Sequence, residues 1–358
     1  MHTVHCSDYW IELIKRNIMM TLLRGATTGR HILCKTARFM SSSSTVKVSF
    51  VGLGNMGMQM ALNLAKQRED ELSDLQLTVY DMNESNVSKF MKQAESAGIT
   101  NLQAAPDLKA LAEANPDFVV KSLPTCEASE AVVGGIVSNL PSSASSIFID
   151  TSTISPAVSK KLHRQVKSVS PHHDYVDAPV SGGVKGATDA SLTFMTGCSS
   201  EDTFQRIQPL LKRMGKAVLP CGASGSGSAV KLCNNAALAA QMIGICEAMS
   251  LGESLGVDPK VLADVMNVST AKCWSSEVNN PHPIAAKGIG SGASACDYEG
   301  GFGTALMLKD LNLALDAAVE EGKSMPVTGL SRQLYSLADN RGLGRKDFGV
   351  MLQFLNGK

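Results

Sequence analysis

Val46 to Gly57 reads VKVSFVGLGNMG. VKVSFV is a short apolar run, the pattern of a strand buried on both faces. Gly52-Leu53-Gly54-Asn55-Met56-Gly57 follows and matches G-x-G-x-x-G, and an amphipathic helical pattern continues to about Gln67. Strand, glycine loop and helix in that order give this otherwise weak motif its meaning. Gly52 permits the tight turn, Gly54 lets the backbone approach a pyrophosphate, and Gly57 lets the helix pack on the sheet. The helix N-terminus offers free N–H groups and a positive dipole end to phosphates. A second strand, LQLTVYD, ends at Asp81, 24 residues after Gly57 and near the offset of about 20 at which an acidic residue holds a ribose. A carboxylate there accepts hydrogen bonds from both ribose hydroxyls and repels a 2′-phosphate. No Arg stands at Met82 or Asn83, so NAD is expected rather than NADP.

The strand–helix alternation continues. A helix is expected over about Ser85–Ala97, strands in DFVVKSLP and SSIFIDTST, a helix after Ser155 with Pro156 in its first turn, and strands in DYVDAPV and SLTFMTG. Strands alternating with helices imply a mainly parallel sheet covered on both faces. After about Gly227 no further strand is read. Ala229–Leu255 is one long helical pattern, apolar around most of its circumference, which predicts a buried helix. Ala240, Gly244 and Ala248 fall four apart and offer one face to a close-packed backbone. Helices around Pro259–Val268, Thr304–Glu321, Gly329–Asn340 and Lys346–Leu355 follow, with a Gly-rich connection from Pro281 to Gly303. The expected architecture is a Rossmann-type α/β domain over residues 46–222, then an all-α domain over 223–358 entered through one long interdomain helix.

The chain has 358 residues, with 33 Lys+Arg against 33 Asp+Glu. That balance excludes an acidic disordered protein and a basic nucleic-acid coat. Nine cysteines include no C-x-x-C pair, and no Cys/His cluster has zinc spacing, so no metal site is expected. The first forty residues differ from the rest. They carry Lys15, Arg16, Arg24, Arg30, Lys35 and Arg38 against Asp8 and Glu12, and lead into the run Ser41 to Ser44. An Arg- and Ser-rich, acid-poor leader is the pattern of an organelle transit peptide; a disordered tail is the alternative. Met19 or Met20 is an alternative start, and a mature N-terminus near Ser41 is expected. Taking the six basic and two acidic residues of 1–40 from the totals leaves 27 and 31, a mildly acidic remainder with no case for nucleic-acid affinity. The most apolar stretch, Leu232–Cys246, is shorter than the roughly 20 residues a membrane span needs and contains Asn234, Asn235 and Gln241. No membrane partner is expected.

Three further segments carry polar groups in unusual settings. Ser181-Gly182-Gly183 ends a strand and offers backbone N–H groups beside a hydroxyl, an anion-binding arrangement or an ordinary glycine turn. Lys231-Leu232-Cys233-Asn234-Asn235 opens the long helix, and Lys231 and Asn235, four apart, share a face. A lysine and an amide there are costly to bury without partners, although a lysine at a helix end also snorkels to solvent. Lys309-Asp310, taken alone, predicts a solvated pair of adjacent charges.

Together these segments resemble the β-hydroxyacid dehydrogenase family. FVGLGNMG, FIDTSTISP, DAPVSGGVKGA, KLCNN and GGFGTALMLKDLNLA stand in family order from Val46 onward. CWSSEVNNPHP (Cys273–Pro283) and KDFGVMLQFL (Lys346–Leu355) are similar to the mitochondrial branch that acts on 3-hydroxyisobutyrate in valine degradation. The resemblance implies an NAD-linked oxidoreductase, with Lys231 as general acid/base and Asn235 positioning it and the substrate. It implies a substrate carboxylate on Ser181, Gly182 and Gly183, with Asn234 beside it. It places Leu123 and Pro124 in the loop over the cofactor, Thr153 at the nicotinamide side, and Lys309 as a cofactor-contacting lysine. Ala128 departs from the pattern, since close relatives carry Asn near that position. The sugar-phosphate branch carries His where Asn234 stands, which argues against such a substrate. The expected partner is a small 3-hydroxy acid, and the expected assembly a homo-oligomer, dimer or tetramer. Reductases of tartronate or succinate semialdehyde, and a non-catalytic NAD-binding module, are the alternatives.

Overall fold

A computed structural model describes residues 45–70, 72–141, 143–287 and 292–357. The leader and its proposed processing site lie outside the described residues. β1 (Val46–Val51), α1 (Asn55–Ala65), β2 (Leu75–Tyr80), α2 (Glu84–Ser96), β3 (Leu102–Ala104), α3 (Leu108–Glu113), β4 (Phe118–Lys121), α4 (Cys126–Val137), β5 (Ile147–Asp150), α5 (Pro156–Val169) and β6 (Asp174–Asp177) alternate in sequence. Then come β7 (Val180–Ser181), α6 (Gly183–Thr188), β8 (Leu192–Gly197), α7 (Glu201–Lys212) and β9 (Gly215–Gly222). β3-β2-β1-β4-β5-β6 pair in parallel in that order. The order reverses between β1 and β4, and such a switch point places a ligand crevice at the strands' carboxyl ends.

Strand composition explains the layering. β4, β5 and β6 are buried throughout, as a parallel sheet covered on both faces requires. Side chains alternate between the two faces. Phe50, Val120 and Ile149 enter one core with Met60 and Leu64 of α1, while Val119 and Phe148 enter the other with Ile136 of α4 and Leu162 of α5. Asn83, Asp107, Thr125, Ser155 and Ser200 cap the helices that follow them with side-chain oxygens, each such cap stabilising its helix by about 1 kcal/mol. Two strands went unread in the sequence. β3 is only three residues long, and β9 carries Pro220 and exposed positions at 216, 219, 220 and 222 that break alternation. β8 runs antiparallel to β6 and β7 and parallel to β9, so the sheet is mixed at this edge.

Beyond Gly222 the described residues form helices: α8 (Ser226–Ser254), α9 (Pro259–Val268), α10 (Trp274–Glu277), α11 (Pro283–Ala286), α12 (Thr304–Glu320), α13 (Pro326–Ala338) and α14 (Met351–Leu355). α8 is long and apolar enough to cross a membrane by length and composition. Here it is the axis of a core: Met242, Cys246 and Met249 pack with Met307 and Leu311 of α12, Tyr335 of α13 and Met351 of α14. Only half of that helix's most apolar stretch is buried, which corrects the all-round burial read from its composition. Its small-residue row faces outward, and Gly244 has no atom within 4 Å of where a Cβ would stand. The expected helix from Lys346 begins later, because Asp347 Oδ1 accepts the Gly349 N–H and holds Phe348–Val350 as a 3-10 turn before α14.

Candidate active site

The glycine loop is fitted residue by residue. Gly52 has φ +94°, and a Cβ there would run into the Ser122 carbonyl at the end of β4. A Cβ on Gly57 would run into the Gly52 carbonyl and lie 3.3 Å from the Phe50 ring. These two glycines therefore serve protein–protein approach. Gly54 is different. Nothing lies within 4 Å of its Cβ position, and the N-terminus of α1 has no side-chain cap. This leaves open space above uncapped N–H groups, the arrangement a pyrophosphate needs. Leu53 is anchored in the core, while Asn55 is exposed and Met56 half-buried. Asp81 is tied to this loop: its Oδ2 accepts the Leu53 N–H at 2.6 Å and Asn86 Nδ2 at 3.3 Å, and its Oδ1 accepts the Asn83 N–H at 2.8 Å. The carboxylate thus clamps the phosphate loop as well as standing where a ribose is expected, with acceptor capacity left on both oxygens.

The loops after β4 and β5 face this one. Ser152 Oγ accepts the Leu123 N–H at 2.8 Å, which joins them. Lys309 of α12 donates to the Thr153 carbonyl at 2.9 Å and to the Pro124 carbonyl at 3.5 Å. Leu123, Pro124, Thr153 and Lys309 are thereby brought together. Ala128 sits in the first turn of α4, where its N–H bonds the Thr125 Oγ1 cap at 3.2 Å.

Lys231 and Asn235 lie on the buried side of α8, 7% and 1% exposed. Asn235 Nδ2 donates to Asp310 Oδ2 at 2.6 Å, and its Oδ1 accepts from Asn234 Nδ2 at 3.1 Å. Asn234 itself is exposed. Lys309 and Asp310 are no solvated pair: Asp310 is 2% exposed and faces Asn235, while Lys309 Nζ lies 3.3 Å from Asp310 Oδ1 and reaches the β4 and β5 loops. Helix geometry is the reason, since Asp310 shares the buried stripe of Met307, Leu311 and Ala314. Among the described residues, Lys231 Nζ has no hydrogen bond or ion pair. Burial pushes its pKa below the ordinary lysine value and Lys309 adds to this, while the Asp310 charge acts in the opposite direction. A buried amine without a protein partner, its proton loosened, is equipped to exchange a proton with a bound group.

Ser181, Gly182 and Gly183 form the turn between β7 and α6. Ser181 pairs with Thr193 of β8, and Gly182 and Gly183 take φ of +134° and +62°, which a side chain would strain. β8 connects this turn to the start of α8, because Gly227 packs where a Cβ would strike the Met195 carbonyl. Asp177, at the end of β6, seats that helix by accepting the Gly225 and Ser228 N–H groups at 2.6 and 2.8 Å. Among the described residues, no hydrogen bond joins the 181–183 turn to Lys231 or Asn235. Asp310, Asp177 and Ser152 were missed in the sequence. Of these only Asp310 carried a legible signal, an acid inside an apolar i, i+3, i+4, i+7 stripe.

Comparison with known proteins bears on these features. Residues 47–222 match the model of the NAD-binding domain of 6-phosphogluconate dehydrogenase, and residues 225–355 match that of the NAD-binding region of NADP-dependent 3-hydroxyisobutyrate dehydrogenase. The chain is 42% identical over 318 residues to mitochondrial 3-hydroxyisobutyrate dehydrogenase of Homo sapiens, covering 88% of each chain, and 40% identical over 316 residues to that of Mus musculus, again covering 88% of each. The structure of Mycobacterium tuberculosis 3-hydroxyisobutyrate dehydrogenase with L-serine superposes with a TM-score of 0.76 at 33% identity, covering 87% of this chain and 99% of that one. The glycine loop, the mixed Rossmann-type sheet and the helical domain built on α8 therefore belong to an NAD(P)-binding oxidoreductase, and the chain is a member of the 3-hydroxyisobutyrate dehydrogenase family within the β-hydroxyacid dehydrogenases.

Proposed function

We propose that this protein oxidises (S)-3-hydroxyisobutyrate to methylmalonate semialdehyde with NAD⁺, as a step of valine catabolism in the mitochondrial matrix. The observation that carries this reading is Lys231, buried and without a protein partner beside Asn235 and Asp310. Bound NAD⁺ supplies the hydride acceptor. Gly52 to Gly57 and Asp81 hold its phosphates and adenosine ribose, and Leu123, Pro124, Thr153 and Lys309 flank its nicotinamide end. Ser181, Gly182 and Gly183 take the substrate carboxylate, with Asn234 at the margin. Lys231 accepts the hydroxyl proton at Nζ as the C–H hydride departs, and returns it in the reverse reaction. Asn235, held by Asp310, orients the substrate oxygen and Lys231.

The reading of NAD rather than NADP is supported by the carboxylate of Asp81 and by Met82 and Asn83, neither of which offers a cation to a 2′-phosphate. L-serine, named with the Mycobacterium tuberculosis structure, is itself a 3-hydroxy acid with a primary alcohol, the proposed substrate class. The acid-poor leader and the mitochondrial names of the relatives support import, with processing near Ser41. The working form is a homo-oligomer, dimer or tetramer, with no nucleic-acid or membrane partner. Initial rates for a panel of small hydroxy acids, each with NAD⁺ and with NADP⁺, test the reaction. Highest kcat/KM for 3-hydroxyisobutyrate with NAD⁺ is expected; a higher value for serine, glycerate or 4-hydroxybutyrate would displace the assignment.

A further inference from the structure

Directly beneath the β4 and β5 loops lies a polar cluster that the proposed chemistry does not use. Lys121 and Asp150 are the last residues of adjacent strands and register partners. Lys121, Ser129, Asp150 and Tyr175 are each 0% exposed. Lys121 Nζ donates to both Asp150 Oδ2 and Ser129 Oγ. Ser129 Oγ and Tyr175 OH donate to the same carboxylate oxygen at 2.9 and 2.7 Å. Burial lowers the Lys121 pKa while Asp150 raises it.

Stability alone is a poor reason for such a cluster, because apolar side chains of similar volume often replace a buried ion pair without loss. The bonds that leave the cluster are more telling. Asp150 Oδ1 accepts the Ser152 N–H at 3.0 Å, and Ser152 Oγ in turn accepts the Leu123 N–H at 2.8 Å. The Thr151 N–H and Oγ1 both donate to the Lys121 carbonyl at 2.9 Å. The Ser122 carbonyl, next in sequence, abuts Gly52 of the phosphate loop. Both strand ends are thus oriented by directional bonds to one carboxylate, whereas an apolar pair would leave them free to shift.

We propose that the buried Lys121–Asp150 pair is a positioning device for the cofactor, setting residues 122–124 and 151–153 against the glycine loop. The inference rests on the reading of these two loops as cofactor-facing. Neither residue touches the cofactor; both act through Ser152 and Leu123. Lys231 and Asn235 stand on α8, and Asn235 is held by Asp310. Lys309, which bonds the Pro124 and Thr153 carbonyls and lies 3.3 Å from Asp310, links the loops to that side at one remove, so the substrate side feels the pair less than the cofactor does.

The double variant Lys121→Met/Asp150→Leu tests this in the full-length enzyme. NADH affinity is expected to fall about tenfold, the equivalent of one lost charge-assisted hydrogen bond. The KM for the hydroxy acid at saturating NAD⁺ stays within about twofold, while Tm falls, because the Ser129 and Tyr175 hydroxyls and the Ser152 N–H lose their acceptor. Tyr175→Phe and Ser152→Ala, which keep the charges and most of the packing, give smaller losses of NADH affinity in the same direction. A folded double variant that binds NADH like wild type overturns the proposal, as does a rise in Kd matched by an equal rise in KM, the signature of general loosening. Should the double variant not fold, wild-type NADH affinity in both single variants overturns it. Pro124→Gly separates this inference from the reading beneath it. If Pro124→Gly leaves NADH binding intact, the loops do not face the cofactor and both fail. If it weakens binding and the pair variants do not, the pair inference alone fails.

Discussion

The Asn235 amide nitrogen donates to Asp310 Oδ2 at 2.6 Å, joining α8 to α12 across 75 positions of sequence. Both side chains are buried, 1% and 2% exposed. The bond fixes which end of the amide faces Asp310, and the neighbouring Asn234 amide supports its oxygen at 3.1 Å. One carboxylate thereby has two effects: it orients Asn235, and its charge opposes the burial that loosens the Lys231 proton.

That double effect predicts a shift in pH dependence. In the proposed reaction oxidation needs Lys231 neutral, so kcat/KM in that direction is expected to rise with pH as the lysine loses its proton, and reduction to fall through the same region. Burial places the inflection below the ordinary lysine value of 10.5. Asp310→Asn removes the charge that favours the protonated lysine while keeping an acceptor for Asn235. The inflection therefore moves to lower pH. A pH–rate profile of the variant with its inflection unmoved, or moved upward, would show that Asp310 does not tune Lys231.

Lys231→Ala is expected to lower turnover by about 10²–10⁴, the contribution of a lost general acid–base. NADH affinity barely changes, because the glycine loop and Asp81 lie on other elements. Lys231→Arg also fails, since a guanidinium keeps its proton near neutral pH. A lysine that merely snorkels at a helix end would tolerate Arg. Single-turnover hydride transfer in Lys231→Arg distinguishes the two, and a near-wild-type rate would remove Lys231 from the mechanism.

How much of this was legible in sequence depended on whether the signal was local. Val46 to Gly57 announces strand, turn and helix within a dozen residues, and the structure gives Gly52 and Gly57 each a steric reason and leaves Gly54 facing open space. Asp310 was hidden by its neighbour, because Lys309-Asp310 looks like a surface pair until the helix period puts Asp310 in line with Met307 and Leu311. Lys121 was beyond reach. Its strand is apolar and ends before a proline, and nothing nearby shows that parallel pairing delivers Asp150 and Tyr175 to its ammonium group. β9 went unseen because its exposure follows neither a one-sided nor a fully buried strand.

The glycine loop gives a paired prediction. Gly57→Ala forces a Cβ into the Gly52 carbonyl, a backbone atom that cannot swing aside. It is expected to destabilise the protein by about 1–3 kcal/mol, the usual range for overpacking. Gly54→Ala meets open space and adopts its φ of −66° without strain, so stability should stay within about 0.5 kcal/mol of wild type. NADH affinity, however, should fall at least about tenfold as the methyl fills the phosphate approach. Thermal melts with and without NADH read both quantities. Undiminished NADH stabilisation of Gly54→Ala would mean that the open space above this glycine is not the phosphate site.

Asp81 gives the final prediction, and the structure changes which variant is informative. Asp81→Ala would remove the charge that repels a 2′-phosphate and also the acceptor for the Leu53 and Asn83 N–H groups. A loss of activity with both cofactors would then reflect a loosened loop rather than altered recognition. Asp81→Asn retains a carbonyl oxygen for the 2.6 Å bond from Leu53; it removes the charge and gives up the acceptor for the exposed Asn83 N–H, which can turn to water. It is expected to lower Tm slightly, by the lost Asn83 bond, to weaken NAD⁺ because an amide accepts ribose hydroxyls less well than a carboxylate, and to improve NADP⁺ by relieving repulsion. Together these narrow the NAD⁺/NADP⁺ ratio of kcat/KM by about tenfold, the equivalent of roughly 1.4 kcal/mol. Steady-state kinetics at equal subsaturating cofactor measure it. If the wild-type enzyme already turned over faster with NADP⁺, or if the ratio were unchanged in Asp81→Asn, the carboxylate would serve only to clamp Leu53 and the cofactor choice would reside elsewhere.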